Sequence, residues 1–132
     1  MTRRRVGSLM TALAAVLFAA TAAMHHTGYG IVTRLAEQGP ADLQRVVPML
    51  WLAVSIDLVV LALIIAVVAW RRMAGGRLIL CIAAITPLAD AALQIRFIGF
   101  ILPTAILLTV GAVTLAAAAL LPPVSRESAQ AG

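Results

Sequence analysis

The sequence predicts an all-α integral membrane protein, an up-down bundle of four transmembrane helices. Its 132 residues are 63% hydrophobic and 11% charged, whereas a soluble domain is typically about 45–50% apolar and about 25% charged. A small globule has too much surface to hide that share of apolar side chains from water. Two aspartates, Asp57 and Asp90, nevertheless interrupt the apolar segments. Because a carboxylate in hydrocarbon costs roughly 2.5–3.5 kcal/mol on insertion scales, these two positions indicate where the protein works.

Four apolar segments are long enough to cross a bilayer, which takes about 20 mostly apolar residues per helix. They cover residues 7–24, 48–70, 78–95 and 98–121. The links at 73–76 and 97–100 are short, which predicts that consecutive helices are antiparallel neighbours. Residues 1–121 thus form one transmembrane domain, and the polar residues 122–132 are predicted to be a disordered cytoplasmic tail.

The positions of the arginines predict how the bundle is oriented. All ten basic residues are arginines, and the cytoplasmic ends of membrane helices are enriched in Arg and Lys. The arginines assigned to the cytoplasmic side are Arg3, Arg4, Arg5, Arg71, Arg72, Arg77 and Arg126. The opposite side holds Arg34, Arg45 and Arg96, but also Glu37 and Asp42. We therefore expect both termini inside, in the inner membrane of a bacterium, to which the lysine-free, alanine-rich composition also points.

Residues 27–47 form the one connection long enough to have structure of its own. Apolar residues there alternate with polar ones on both sides of Gly39-Pro40. This pattern predicts two short amphipathic helices on the outer surface of the membrane, with Asp42 near a helix N-terminus. An irregular loop is the alternative. The segment Gly28-Tyr29-Gly30 is expected to loosen the chain where it leaves the first span.

The first span has a second interpretation, as a secretory signal. An arginine-rich start, an apolar stretch and then Ala20-Thr21-Ala22 resemble a signal sequence with a cleavage site of small residues. Cleavage near residue 22 would leave three spans, with the new N-terminus outside. The apolar stretch is long for the core of a signal, which favours the interpretation with four spans.

Polar residues within the spans concentrate toward the predicted outer face. Asp57 is nine residues into the second span, about 13 Å deep, and Asp90 is six residues from Arg96, about 9 Å deep. Thr86, Asp90 and Gln94 follow one another at i, i+4 and share one helix face. The candidate ligand-binding residues are His25, His26, Trp51, Ser55, Asp57, Thr86, Asp90, Gln94, Arg96 and Pro103. The inner half is nearly all aliphatic, which predicts a cavity open to the outside rather than a channel.

Each of these residues also has a purely structural interpretation. Asp90 is able to pair with Arg96 along the helix, and Asp57 is able to hydrogen-bond to a nearby group or a partner helix. The adjacent histidines and Trp51 are typical of the membrane–water boundary. Pro103 is suited to shaping the start of its helix, although a proline within a span also frees a carbonyl for a ligand or water. The threonines interpreted as packing residues are Thr104, Thr109 and Thr114.

No cofactor, metal or nucleic acid is expected. A metal site needs three or four ligands brought together, and the adjacent His25 and His26 point about 100° apart on a helix, so that both rarely face one site. Haem would need histidines on facing helices. Cys81 is the single cysteine, so the chain has neither an internal disulfide nor a two-cysteine redox motif. The net charge of +5 is explained by arginines at the ends of apolar runs, where they meet lipid head groups.

These features leave several classes of function open. The first is a protein that binds or carries a small amphipathic, lipid-like ligand in an outer cavity built by His25, Asp57, Asp90 and Gln94. The second is a non-enzymatic accessory subunit of a larger membrane complex, and a small proton-coupled transporter is a further alternative. An enzyme acting on a lipid, with the two aspartates as acid and base, has no nucleophile motif to support it. Expected partners are membrane lipid and the ligand, with a homodimer or a larger membrane protein as alternatives.

In the number of spans and the placement of polar residues, the chain resembles small four-span bacterial inner-membrane proteins of unknown function. It is similar in the same way to four-span families that bind sterols and lipids through acidic residues in a bundle cavity. The resemblance covers the chain but includes no sequence motif, so it implies a fold and no residue roles. Small multidrug transporters have the same size and span count, but their essential carboxylate lies in the first span, where this chain has none.

Overall fold

The computed structural model describes residues 2–71, 73 and 75–121, and the regular structure in that part is α-helical. The helices there are α1 (Arg3–Thr27), α2 (Tyr29–Glu37), α3 (Leu43–Arg71), α4 (Gly76–Phe97) and α5 (Leu102–Leu120). Four helical segments of the described residues are long and apolar enough to cross a membrane, and α1 with α2 counts as one of them. The predicted all-α fold with four membrane helices is confirmed. The predicted tail lies outside the described residues.

The transmembrane helices are arranged around the bundle in the order α3, α1, α5, α4. Helix α1 packs against both α3 and α5, and α4 packs against α5. Helices α3 and α4 follow each other in the chain but contact one another much less, so the prediction that consecutive helices are close neighbours applies weakly to this pair. The sparse contact leaves a cleft between α3 and α4 along one side of the bundle.

The core consists of apolar side chains between closely packed helices. Phe18, Leu58, Ile65, Leu80 and Val110 are almost fully buried. The buried alanines include Ala14, Ala83, Ala84, Ala117 and Ala118. Small residues of this kind let helix backbones approach closely, which favours helix association in lipid. Many large apolar side chains on the outside are exposed, as expected of helices that present their outer faces to lipid.

The connection between the first two spans differs from its prediction. A single short helix, α2, follows α1 directly after Gly28, and the second predicted amphipathic segment is the beginning of α3. The Leu43 N–H donates to the Pro40 carbonyl at 2.9 Å, which closes the turn from which α3 starts. Gly28 does not loosen the chain, because its φ of −73° is helical. A Cβ at this position would lie 2.7 Å from the Trp51 ring, so the glycine allows the indole to approach the backbone.

Both predicted short turns are present, with one shift in a helix start. Gly75, at φ +84°, directly precedes α4, and Gly99, at φ +102°, lies between α4 and α5. Glycine adopts this left-handed region without the strain that a Cβ would cause. Helix α5 starts at Leu102 rather than at residue 98, because Pro103 occupies its first turn, where a fixed φ and a missing N–H do no harm. The proline therefore starts this helix and does not interrupt it.

The antiparallel helices give the bundle two halves with different residues. The His25 half contains the C-termini of α1 and α4 and the N-termini of α3 and α5; in it the Trp51 indole N–H donates to the His25 carbonyl at 2.8 Å. The Arg77 half contains the opposite helix ends; in it Arg77 Nε donates to the Ala118 carbonyl at 3.1 Å, at the end of α5. Of the two aspartates in the spans, Asp90 lies in the His25 half and Asp57 lies at the middle of α3.

Candidate functional site

A cavity of about 390 Å³ lies in the His25 half, at the cleft between α3 and α4. All four transmembrane helices contribute to its wall. The apolar part of the wall includes Met24, Leu50, Val54, Leu58, Leu93 and Leu107. From Val47, near the start of α3, to Leu58, the wall follows eleven residues of helix, or about 16 Å. The cavity therefore reaches from the end of the bundle to the middle of the span.

Half of the predicted site residues line this cavity. They are His25, Trp51, Asp90, Gln94 and Pro103. These residues lie on α1, α3, α4 and α5, so the fold brings together side chains that are far apart in the sequence. Ser55 is buried and contacts His25 directly, next to the cavity.

His25 is held in place by two side chains of α3. Its ring is stacked on Trp51, with ring centroids 4.0 Å apart and planes at 15°. His25 Nδ1 is hydrogen-bonded to Ser55 Oγ at 2.9 Å. Together with the indole bond to the His25 carbonyl, these contacts join α1 to α3 and fix the orientation of the imidazole.

The Ser55 hydroxyl connects His25 to the backbone of α3. Its oxygen lies 2.9 Å from His25 Nδ1 and 3.1 Å from the Trp51 carbonyl oxygen. Because the hydroxyl has a single hydrogen, it donates to one of these two atoms, and the tautomer of His25 decides which one. No described residue bonds the other ring nitrogen, Nε2, which is an acceptor in one neutral tautomer and a donor in the other.

Asp90 is the carboxylate in the cavity wall. Its side chain is partly buried and receives no hydrogen bond from another described residue. It shares the cavity wall with His25 of α1. The pairing with Arg96 that the sequence allows is not observed. The Arg96 guanidinium instead lies 5.5 Å from the centroid of the Phe97 ring.

Asp57 lies at the rim of the cavity rather than in its wall. Its side chain is exposed on α3. It follows Val54 by three residues and Leu50 by seven, and both of these residues line the cavity. Residues at these spacings share one helix face, so Asp57 lies on the side of the cleft, one turn deeper in the span than Val54. No hydrogen bond from the described residues reaches its carboxylate.

Gln94 is oriented by Thr104 of the neighbouring helix α5. The Thr104 hydroxyl, which is fully buried, donates to Gln94 Oε1 at 2.8 Å. The same hydroxyl oxygen accepts a bond from the Ile101 N–H at 3.4 Å. Because the amide oxygen of Gln94 is occupied in this way, its NH₂ group is the part left to donate into the cavity.

The remaining predicted residues lie outside the cavity. His26 is exposed and stacks on Tyr29, with ring centroids 6.3 Å apart. Thr86 is partly buried on α4, one turn before Asp90, but is not part of the wall. Arg96 is exposed next to the turn that follows α4. None of these three side chains lines the cavity in the cleft.

Three residues that the sequence analysis did not single out also shape the site. Thr104, interpreted as a packing residue, orients Gln94. Thr21 lines the cavity, with its hydroxyl donating to a carbonyl of its own helix at 2.8 Å. Pro87 is buried inside α4, three residues before Asp90, where it removes one backbone hydrogen bond of the helix. The sequence alone shows a proline three residues from an aspartate within a span, and this pair could have marked the site.

A second cavity, of about 560 Å³, lies between α2 and α3. Its polar side chains are Tyr29, Thr33, Gln44 and Arg45, and its apolar side is formed by residues of α3 such as Ile56. None of the ten predicted site residues lines it. The cavity in the α3–α4 cleft is therefore the one that coincides with the polar residues of the spans.

The chemistry available in the α3–α4 cleft is that of recognition. A carboxylate, an imidazole and an amide donor lie in the wall of a largely apolar cavity, an arrangement suited to the polar head of an amphipathic molecule. Within the described residues, no group of three or more His, Cys, Asp or Glu side chains is placed to hold a metal ion. Comparison with protein-family models, curated proteins and solved structures gave no significant match. The geometry of this cavity is therefore the feature of the molecule that points to a function.

Proposed function

We propose that the protein binds or carries a small amphipathic, lipid-like ligand in the cavity of the His25 half. The main support is the composition of its wall, which is largely apolar but includes three polar groups. These groups are His25 Nε2, the Asp90 carboxylate and the Gln94 NH₂, which have no hydrogen-bond partner among the described residues. A volume of about 390 Å³ is within the range of about 300–1,000 Å³ typical of small-ligand pockets.

The cleft also supports a route by which such a ligand would enter. Helices α3 and α4 share few contacts, so a molecule dissolved in the bilayer can approach sideways between them. Its apolar tail would lie against Leu50, Val54 and Leu58, while its head meets Asp90 and Gln94. Binding would then remove two unpaired polar groups from an apolar setting, where such groups are costly.

We further propose that the protein resides in the inner membrane of a bacterium, with the His25 half toward the outer face. The support is the cluster of arginines at the other end, including Arg71 and Arg77 at the turn between α3 and α4. Such clusters are enriched on the cytoplasmic side. In this orientation the cavity is open toward the outside of the cell.

Native mass spectrometry of the protein released gently from its membrane tests the proposed function. We expect the unmodified protein to retain an amphipathic molecule and Asp90→Asn to lose it, because the substitution removes the charge in the wall but keeps the side-chain size. Asp42→Asn is the matched control, since Asp42 is an exposed carboxylate outside the cavity. Retention that is equal in all three proteins, or absent from the unmodified one, would contradict the proposal.

The exposed position of Asp57 favours a second candidate function, that of an accessory subunit. A carboxylate in the middle of a span is costly against lipid, and a polar side chain of another membrane protein would relieve that cost. In this case Asp57→Asn is expected to release a co-purifying membrane protein that Asp42→Asn retains. Unchanged co-purification in Asp57→Asn, or the lack of any partner, would rule this candidate out.

A further inference from the structure

The charged groups around the cavity are unbalanced, and this bears on the chemical class of the ligand. Asp90 lies in the wall and Asp57 lies at the rim of the same cleft. Arginines of this half are engaged or placed elsewhere: Arg45 lines the other cavity, and Arg96 lies over Phe97. No arginine lines the cavity in the cleft. The Asp57 and Asp90 carboxylates are therefore not offset by a guanidinium in the wall of this cavity.

The hydrogen-bonding groups of the wall are unbalanced in the same direction. The Asp90 carboxylate offers two acceptor oxygens, and no described residue donates a hydrogen bond to them. The Gln94 NH₂ is a donor group that the bond from Thr104 leaves free. The charged acceptor of the wall is complementary to a head group that mainly donates.

Resting on the proposed function, we infer that the ligand of this cavity is a cationic amphipath with a hydrogen-bond-donating ammonium head. A primary ammonium carries three N–H donors and no acceptor. It can donate to the Asp90 carboxylate while its charge offsets Asp57 and Asp90. The apolar tail lies along Leu50, Val54 and Leu58, as the wall requires.

Four probes with the same ten-carbon tail separate the features of the head group. Decylamine is a cation that donates, decyltrimethylammonium is a cation that does not donate, decanol is a neutral donor, and decyl sulfate is an anion. The full chain is placed in nanodiscs of phosphatidylcholine, and binding is measured as the concentration-dependent shift in its thermal unfolding. A zwitterionic bilayer keeps general attraction of the cations to the membrane small.

Decylamine is expected to bind most tightly, roughly tenfold or more above decyltrimethylammonium and decanol, because hydrogen bonds to charged groups contribute at least that factor. Decyl sulfate is expected not to bind. Asp90→Asn reduces decylamine to the level of decanol, Asp57→Asn weakens it by a smaller factor, and Asp42→Asn leaves it unchanged. Asp90→Glu restores most of the preference and shows that the loss in Asp90→Asn is not a folding defect.

Other results would contradict either the charge or the hydrogen-bond donation that we infer for the head group. Equal binding of decylamine and decyltrimethylammonium would contradict donation by the head group, and equal binding of decylamine and decanol would contradict its charge. Preference for decyl sulfate would contradict both, while all three results leave the proposed binding function standing. If none of the four probes binds, the class inferred for the ligand fails; the native mass spectrum then decides the proposed function separately.

Discussion

The two halves of the bundle hold their helices together in different ways. In the His25 half, side-chain hydrogen bonds run between helices: His25 to Ser55 joins α1 to α3, and Thr104 to Gln94 joins α5 to α4. In the Arg77 half, the buried hydroxyl of Thr114 bonds a carbonyl of its own helix. Apart from the bond that Arg77 donates to the Ala118 carbonyl, contacts between helices there are made by closely packed apolar side chains, many of them alanines.

The difference accounts for the position of the cavity in the His25 half. A hydrogen bond between helices requires a particular orientation of its two side chains, which leaves space beside them unfilled. Alanine and branched aliphatic side chains have no such requirement and fill the space between the helix backbones. A site that is polar at one depth and closed by aliphatic packing at the other suits binding from one side. A continuous channel would need polar lining in the Arg77 half as well.

The largest effect is expected from opening the packing of the Arg77 half. Ile65 is completely buried, whereas its neighbour Ile64 is 41% exposed on the same helix. We expect Ile65→Ala to lower the free energy of unfolding by about 2 kcal/mol, the low end of the usual range, because lipid rather than water surrounds the protein. Ile64→Ala should stay within about 0.5 kcal/mol. Unfolding in mixed micelles measures both, and equal losses would show that this half is not packed as described.

A smaller effect is expected from removing one bond between α1 and α3 in the His25 half. Trp51→Phe keeps an aromatic ring against His25 but removes the N–H that donates to the His25 carbonyl. The expected loss is about 1 kcal/mol, since that carbonyl keeps its bond from the Gly28 N–H. Trp70→Phe is the control, because Trp70 is 81% exposed. A Trp51→Phe protein as stable as this control would contradict the bridging role of the indole.

The smallest effect on stability is expected at Thr104, but with a clear effect on binding. Thr104→Val should cost about 0.6 kcal/mol, the average for a hydrogen bond between membrane helices. It also frees the Gln94 amide to rotate, so affinity for decylamine should fall. Thr109→Val removes a hydroxyl that bonds only the Ala105 carbonyl of the same helix, and it should leave affinity unchanged. Equal affinities in the two variants would show that Gln94 has no part in binding.

Much of the fold, but less of the site, follows from the sequence. Span lengths depend on runs of apolar residues, which are visible without coordinates, and the concentration of polar residues in one half follows from depth along each helix. Rotation of the helices is different, because successive residues point about 100° apart. Ser55, Asp57 and Leu58 therefore lie at similar depth but in different surroundings. Ser55 is hydrogen-bonded to His25, Asp57 is exposed, and Leu58 lines the cavity.

Contacts between residues that are far apart in the sequence could not be predicted from residue spacing either. The indole of Trp51 is suited to a membrane boundary, as predicted, but its bond to His25 depends on the close approach that Gly28 permits. Thr104 carries no feature that distinguishes it from Thr109, and only the packing of α4 against α5 brings it to Gln94. Residue types along the chain thus predicted which half of the bundle is polar. Which polar residues contact one another depends on how the helices pack.

We propose that molecules from the outer face enter the cavity of the His25 half, whereas the close packing of the Arg77 half excludes them. Labelling with a membrane-impermeant maleimide, added outside spheroplasts, tests it most directly. The test protein carries Val54→Cys, in the cavity wall, in a Cys81→Ala background; the unmodified chain, with Cys81 on the outer surface of α4, is the control. We predict rapid labelling at position 54, protection of that position by decylamine, and little labelling of Cys81. Labelling of Cys81 with none at position 54 would contradict the account.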